Sequence, residues 1–150
     1  MIRPADSAAI AEAAALIKAG GLVGMPTETV YGLAADAFNA TACARIFELK
    51  QRPNFDPLIV HIADAADLPR VAKLPQNPAM AALIASLLAR FWPGPLTVVL
   101  PEADAIPSIV SSGLPTVAVR GPAHPVALAF PRAAGTPLAA LSANRFGQLS

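Results

Sequence analysis

Five short apolar runs punctuate this chain: LVGM at 22–25, PLIVHI at 57–62, LTVVL at 96–100, TVAVR at 116–120 and PLAAL at 137–141. None exceeds six residues, a length that suits a strand buried in a sheet and is too short for a buried helix. Helical periodicity fills much of the space between them. Residues 7–19 (SAAIAEAAALIKA), 41–50 (TACARIFELK) and 78–91 predict helices, 64–73 a short one interrupted by Pro69, and 124–130 another. Strands that alternate with helices predict an α/β fold, a sheet with flanking helices. The 150 residues fit one domain.

Local signals mark the ends of these elements. Ser7 or Asp6 is placed to cap the first helix and Gly20 to end it. Thr41 stands near the cap of the second, in which Cys43, Ile46 and Phe47 share one face, and Pro53 stops it soon after Lys50. Residues 26–32 predict a polar connection, and 101–115, rich in Ser, Pro and Gly, predicts a loop. The 16 prolines favour many short connections over long uninterrupted elements.

Composition excludes several classes of function. With 55% hydrophobic and 14% charged residues, disorder is not expected. A formal charge of +1 argues against a chain that holds nucleic acid by bulk electrostatics, although a local basic groove stays open. One cysteine, Cys43, permits no internal disulfide, and with two histidines it cannot build an ordinary structural zinc site. The apolar stretch 78–92 is too short to span a bilayer, and the N-terminus lacks the basic start of a secretory signal. The expected location is the cytoplasm, with no membrane partner.

Five groups of residues carry chemistry. In Pro26-Thr27-Glu28-Thr29-Val30-Tyr31-Gly32, an extended backbone would set Thr27, Thr29 and Tyr31 on one side and Glu28 and Val30 on the other. Three hydroxyls in a row make a wall for a polar ligand, or simply a Thr-rich edge strand. Lys50 and Arg52, two residues apart past a helix, offer a point charge and a planar fork to phosphate. They equally complement the helix dipole. His61 inside PLIVHI is either a structural histidine or a ligand, and its ordinary pKa range makes it a candidate base. Arg120 ends an apolar strand, and ligands in α/β sheets gather at strand ends. Ser142 and Asn144 after the last strand offer a hydroxyl and an amide, or a turn and cap. Trp92-Pro93-Gly94-Pro95 predicts a rigid structural turn. No GxxxxGK[ST] phosphate loop, GxGxxG after a strand or GxSxG elbow occurs.

Taken together and in order, these landmarks resemble the YrdC/Sua5 family along nearly the whole chain. They are GGLVGMPTETVYGLAADA (20–37), IFELKQRP (46–53), PLIVHI (57–62), FWPGPLTVVL (91–100), TVAVRGPAHP (116–125) and PLAALSAN (137–144). The resemblance implies a twisted mixed sheet with flanking helices and a concave active-site face. It implies a nucleotidyltransferase that makes threonylcarbamoyl-AMP and pyrophosphate from L-threonine, bicarbonate and ATP, with magnesium expected. A separate transferase then carries the threonylcarbamoyl group to adenosine 37 of tRNAs reading ANN codons, while direct tRNA binding by this chain is a weak expectation. Carried over by position, Thr29, His61, Arg120 and the backbone of Ala140 are expected at threonine. Lys50, Arg52, Asp56, Thr116, Ser142, Asn144 and Ser150 are expected at ATP, with Lys50 and Arg52 stabilising charge. No residue is implied as an obligatory nucleophile or metal ligand. The chain has Leu141 where the family often has proline before the serine of SxN. Residues 1–150 are expected to be one YrdC-like domain, shorter at its C-terminal end than the family's usual domain. Two other readings remain: a noncatalytic RNA-binding module, and the related domain of hydrogenase-maturing carbamoyltransferases.

Overall fold

A computed structural model describes residues 2–51 and 56–144. Among these residues six strands form one sheet: β1 (Val23–Met25), β2 (Gly32–Asp36), β3 (Ile59–His61), β4 (Thr97–Pro101), β5 (Thr116–Arg120) and β6 (Leu138–Ser142). Their spatial order is β1-β2-β6-β3-β5-β4. Only β3 and β5 run parallel; every other neighbouring pair is antiparallel. The helices are α1 (Ser7–Lys18), α2 (Ala40–Lys50), α3 (Leu68–Val71, entered through a 3₁₀ turn at Ala65–Asp67), α4 (Pro78–Phe91), α5 (Ser108–Ser111) and α6 (Pro125–Ala134). The α/β architecture read from the sequence is the one observed.

Side-chain alternation along the strands divides the core in two. On one face, Ala35, Val60, Val117, Val119 and Ala139 pack under α2, α3 and α5, against Cys43, Ile46, Phe47, Leu68, Val71 and Val110. On the other face, α1 and α6 cover only the β1, β2 and β6 side, where Ile17 and Phe130 meet Met25, Ala34, Leu138 and Ala140. Among the described residues that second face carries no helix over β3, β5 and β4, and Val99 on β4 is 63% exposed there.

The expectations at Asp6 and Gly20 hold, and several others are corrected. Asn39 caps α2, its side chain accepting from the Ala42 N–H, so the helix begins one residue before Thr41. The cap of α1 is Asp6, which accepts from Ala9 N–H at 2.8 Å. Gly20, at φ +78, follows the helix end in a conformation that favours glycine. Strand β2 and helix α5 were not foreseen. β2 reads Gly-Leu-Ala-Ala-Asp, without a β-branched residue, and is a strand because β1 and β6 pair with both its edges. Ala34 and Ala35 are fully buried on opposite faces, where small side chains let helices approach from both sides.

The segment 26–31 is not the extended ribbon with alternating hydroxyls that its sequence suggests. Thr27 Oγ1 donates to the Val30 carbonyl at 2.6 Å and lies 3.3 Å from both the Thr29 and Val30 N–H groups. The chain therefore turns around Thr27, because a threonine hydroxyl satisfies nearby backbone groups as readily as a strand would.

Candidate active site

Strand register brings the separated sequence motifs onto the second sheet face, which α1 and α6 cover only in part. Ile59 is paired with Ala140 on one side and Ala118 on the other, and Ala118 is paired with Val99. In the adjoining row, two residues along the strands, Leu138, His61, Arg120 and Thr97 lie side by side. Because β5 is parallel and β6 antiparallel to β3, Thr116 and Ser142 both lie one row beyond Ala118 and Ala140, in the opposite direction. Thus Ala140, Thr116, Ser142, His61 and Arg120 share one face, as ladder partners and residues two apart must. Thr116 and Arg120, four residues apart on β5, are separated by roughly 13 Å along the strand.

At one end of this face lies a cation. Lys50, the last residue of α2, is 2% exposed. Its ammonium donates to the Ser142 carbonyl and lies 3.3 Å from the Ser142 hydroxyl. Two residues expected at nucleotide are therefore in contact. Asp56 precedes β3 and Asn144 follows β6, both half-buried. Arg52 and Ser150 lie outside the described residues. Gln51 is in the left-handed conformation at φ 51, so the chain leaves α2 by a turn rather than extended.

At the other end, His61 is 4% exposed. Its Nδ1 lies 3.1 Å from the Ile59 carbonyl, which can only accept. Neutral His61 therefore carries its proton on Nδ1, and Nε2 is a lone-pair acceptor without a hydrogen-bond partner among the described residues. Burial and then the Arg120 charge lower its pKa to about 4, against opposing pulls from the Ile59 carbonyl, the Glu28 carboxylate and the Leu138 carbonyl. The expectation of a base with an ordinary imidazole pKa is corrected: at neutral pH this ring is uncharged, weakly basic and suited to accept a hydrogen bond. Beside it, Arg120 Nε donates to Thr97 Oγ1 at 2.9 Å.

The loop 26–31 borders this end. Glu28 Oε1 accepts from the backbone N–H groups of Ala123 and His124, at the N-terminal end of α6. Burial alone would raise the Glu28 pKa, but these hydrogen bonds and the nearby Arg120 charge hold it below its ordinary value. Thr29 and Tyr31 are exposed, and the Tyr31 carbonyl accepts from Ala143 N–H at 2.7 Å, continuing the β2–β6 pairing. Glu28 and Thr97 were passed over in the sequence. An acid inside a hydroxyl-rich motif and a threonine two residues after the Trp-Pro-Gly-Pro turn were the available signals.

Among the described residues, no three His, Cys, Asp or Glu side chains cluster so as to hold a metal ion. No helix of the described residues is long and apolar enough to cross a membrane.

Comparison with known proteins places the family and the fold. The Sua5/YciO/YrdC family model, described as "Telomere recombination", matches residues 15–150. The threonylcarbamoyl-AMP synthase of Pyrococcus abyssi is 49% identical over 139 residues, covering 92% of this chain and 39% of the relative. That of Halorhodospira halophila is 44% identical over 136 residues, covering 90% of this chain and 68% of the relative. A crystal structure of P. abyssi Sua5 complexed with L-threonine superposes with a TM-score of 0.91 at 46% identity, over 97% of this chain and 41% of that one. The chain thus spans about two fifths of the P. abyssi protein and two thirds of the shorter relative. With the family model matched from residue 15 to residue 150 and the fold shared with Sua5, the chain belongs to the Sua5/YciO/YrdC family.

Proposed function

We propose that this chain condenses L-threonine, bicarbonate and ATP into threonylcarbamoyl-AMP and pyrophosphate. The observation that carries the reading is the division of one partly covered sheet face into a His61–Arg120 end and a Lys50–Ser142–Thr116 end. An amino acid needs a carboxylate partner and a neutral acceptor; a nucleotide needs a cation and hydroxyls. Arg120 receives the threonine carboxylate, and His61 Nε2 accepts from the threonine hydroxyl or amine. Thr29 and the Ala140 backbone complete this subsite, with Thr27 and Tyr31 bordering it. Lys50, Arg52, Asp56, Thr116, Ser142, Asn144 and Ser150 serve ATP.

The chemistry runs in two bond-forming steps. The deprotonated threonine nitrogen attacks the bicarbonate carbon and water leaves, giving a carbamate. A carbamate oxygen then attacks the α-phosphorus, and the bond to pyrophosphate breaks. Negative charge grows on the leaving group, where Lys50 and Arg52 act electrostatically. Holding both substrates on one face supplies much of the remaining acceleration. The described residues offer no cage for magnesium, which would arrive on the nucleotide phosphates. The product then passes to a separate transferase that modifies adenosine 37 of tRNA, and the reaction belongs in the cytoplasm. The likeness to a Sua5 solved with L-threonine supports the amino-acid end.

The test is pyrophosphate release from ATP. Release that requires both threonine and bicarbonate is expected; release indifferent to threonine would exclude this reading. Salt-sensitive tRNA binding without ATP turnover would favour an RNA-binding module instead.

A further inference from the structure

We propose that Thr97 is a positioning residue for Arg120, presenting its guanidinium so that a ligand carboxylate is received end-on by the two Nη groups. This inference rests on the amino-acid subsite proposed above. A guanidinium has five N–H donors, one on Nε and two on each Nη. A carboxylate can pair side-on, with Nε and one Nη, or end-on, with both Nη atoms. In this structure Nε is engaged by Thr97 Oγ1 at 2.9 Å. The side-on pair is therefore taken, and the end-on pair is the one left for a ligand.

The arrangement is built into the fold. Thr97 and Arg120 are register partners on neighbouring strands, so both side chains stand on the same face. A second set of contacts holds that register. Trp92 Nε1 donates to the carbonyl of Leu96, the residue before Thr97, at 2.8 Å. Gly94 N–H donates to the carbonyl of Gly121, the residue after Arg120, at 2.8 Å. The turn at 92–95 thus ties together the ends of the two strands that carry the pair. His61 is the register partner of Arg120 on the other side, so the guanidinium is flanked by Thr97 and by a neutral acceptor. A ligand with a carboxylate and a neighbouring hydroxyl or amine matches that row.

Three variants test the role. Thr97→Val keeps the side-chain shape and removes the acceptor, Thr97→Ala removes it without adding bulk, and Thr97→Ser keeps it. Two quantities are read: solvent exchange of the Arg120 Nε–H resonance, assigned by its loss in Arg120→Lys, and the KM values for L-threonine and ATP. The expected result is a protected Nε–H in the parent and in Thr97→Ser, lost in Thr97→Val. Loss of a hydrogen bond to a charged group is of the size that raises the threonine KM about tenfold. The ATP KM is expected to stay near the parent value. Thr97→Ala carries the same expectation if the valine variant fails to fold. Parent-like exchange and threonine KM in the variants without a hydroxyl would overturn the proposal, as would a serine variant as impaired as the valine one. The exchange measurement needs no substrate. A parent that turns over no threonine therefore refutes the proposed function, while Nε–H protection that depends on Thr97 still supports the positioning role.

Discussion

The ammonium of Lys50 donates to the main-chain carbonyl of Ser142, 92 positions further along the chain. The bond joins the C-terminal end of α2 to the end of β6 and fixes a positive charge beside the Ser142 hydroxyl. Lys50→Met is expected to lower ATP-dependent pyrophosphate release by about a hundredfold, the scale of losing one electrostatic group at a developing charge. Arg120→Ala is expected to act chiefly on the threonine KM. Initial rates with each substrate varied check both. Unchanged turnover in Lys50→Met would remove it from the phosphate end, and an Arg120→Ala defect confined to ATP would mean that the two subsites are exchanged.

Glu28 reaches across 95 positions to the N–H groups of Ala123 and His124. These donors lie at the start of α6, where the helix dipole favours a negative charge. Glu28→Ala is expected to destabilise the fold by about 1–2 kcal/mol, the scale of a lost N-terminal cap. Glu28→Gln keeps an accepting oxygen and should lose less. The folded-state pKa is below the ordinary 4.5, so this contribution is present above that value and is lost as pH falls through the folded pKa. Urea denaturation of both variants at pH 7 and pH 3.5 checks it; equal stabilities of parent and Glu28→Ala at pH 7 would contradict it.

His61 predicts a second pH dependence. Its pKa is about 4 in the fold against 6.5 for a free imidazole. Between those values the unfolded chain binds more protons, so stability is full above about pH 6.5 and declines as pH falls toward 4. The shift corresponds to about 3 kcal/mol across the window. His61→Gln should flatten the stability profile between pH 7 and pH 4.5 relative to the parent. Parallel profiles for the two proteins would refute the shift.

Gly121 sits directly after Arg120, and a Cβ there would come within 2.9 Å of Trp92 Cδ2 and 3.0 Å of Cε3. The indole is anchored to Leu96 and has little freedom to move aside. Gly121→Ala is expected to cost about 1–3 kcal/mol through overcrowding and to raise the threonine KM by displacing the backbone that carries Arg120. Thermal melts and substrate kinetics check the pair of effects. A variant as stable as the parent would show that the turn can yield.

How much of this was legible beforehand differs by element. β3, β4, β5 and β6 announce themselves as short apolar runs rich in Val, Ile and Leu, and α1, α2 and α4 by their period, α1 also by its Asp6 cap. These signals are local, so a sequence carries them without help. The order of motifs from PTETVYGL to SAN likewise placed the chain in its family and named His61, Arg120, Thr116 and Ser142 as candidate site residues. Tertiary structure alone decided that β2 is a strand, since alanines have no strand preference of their own until β1 and β6 pair with them. It also decided that Glu28 holds α6, that Lys50 meets Ser142, and that Thr97 takes the Nε of Arg120. Each of the last three joins residues from 23 to 96 positions apart. Such partners are brought together by strand register and helix packing, and neighbouring residues carry no local signal of which partner each will meet.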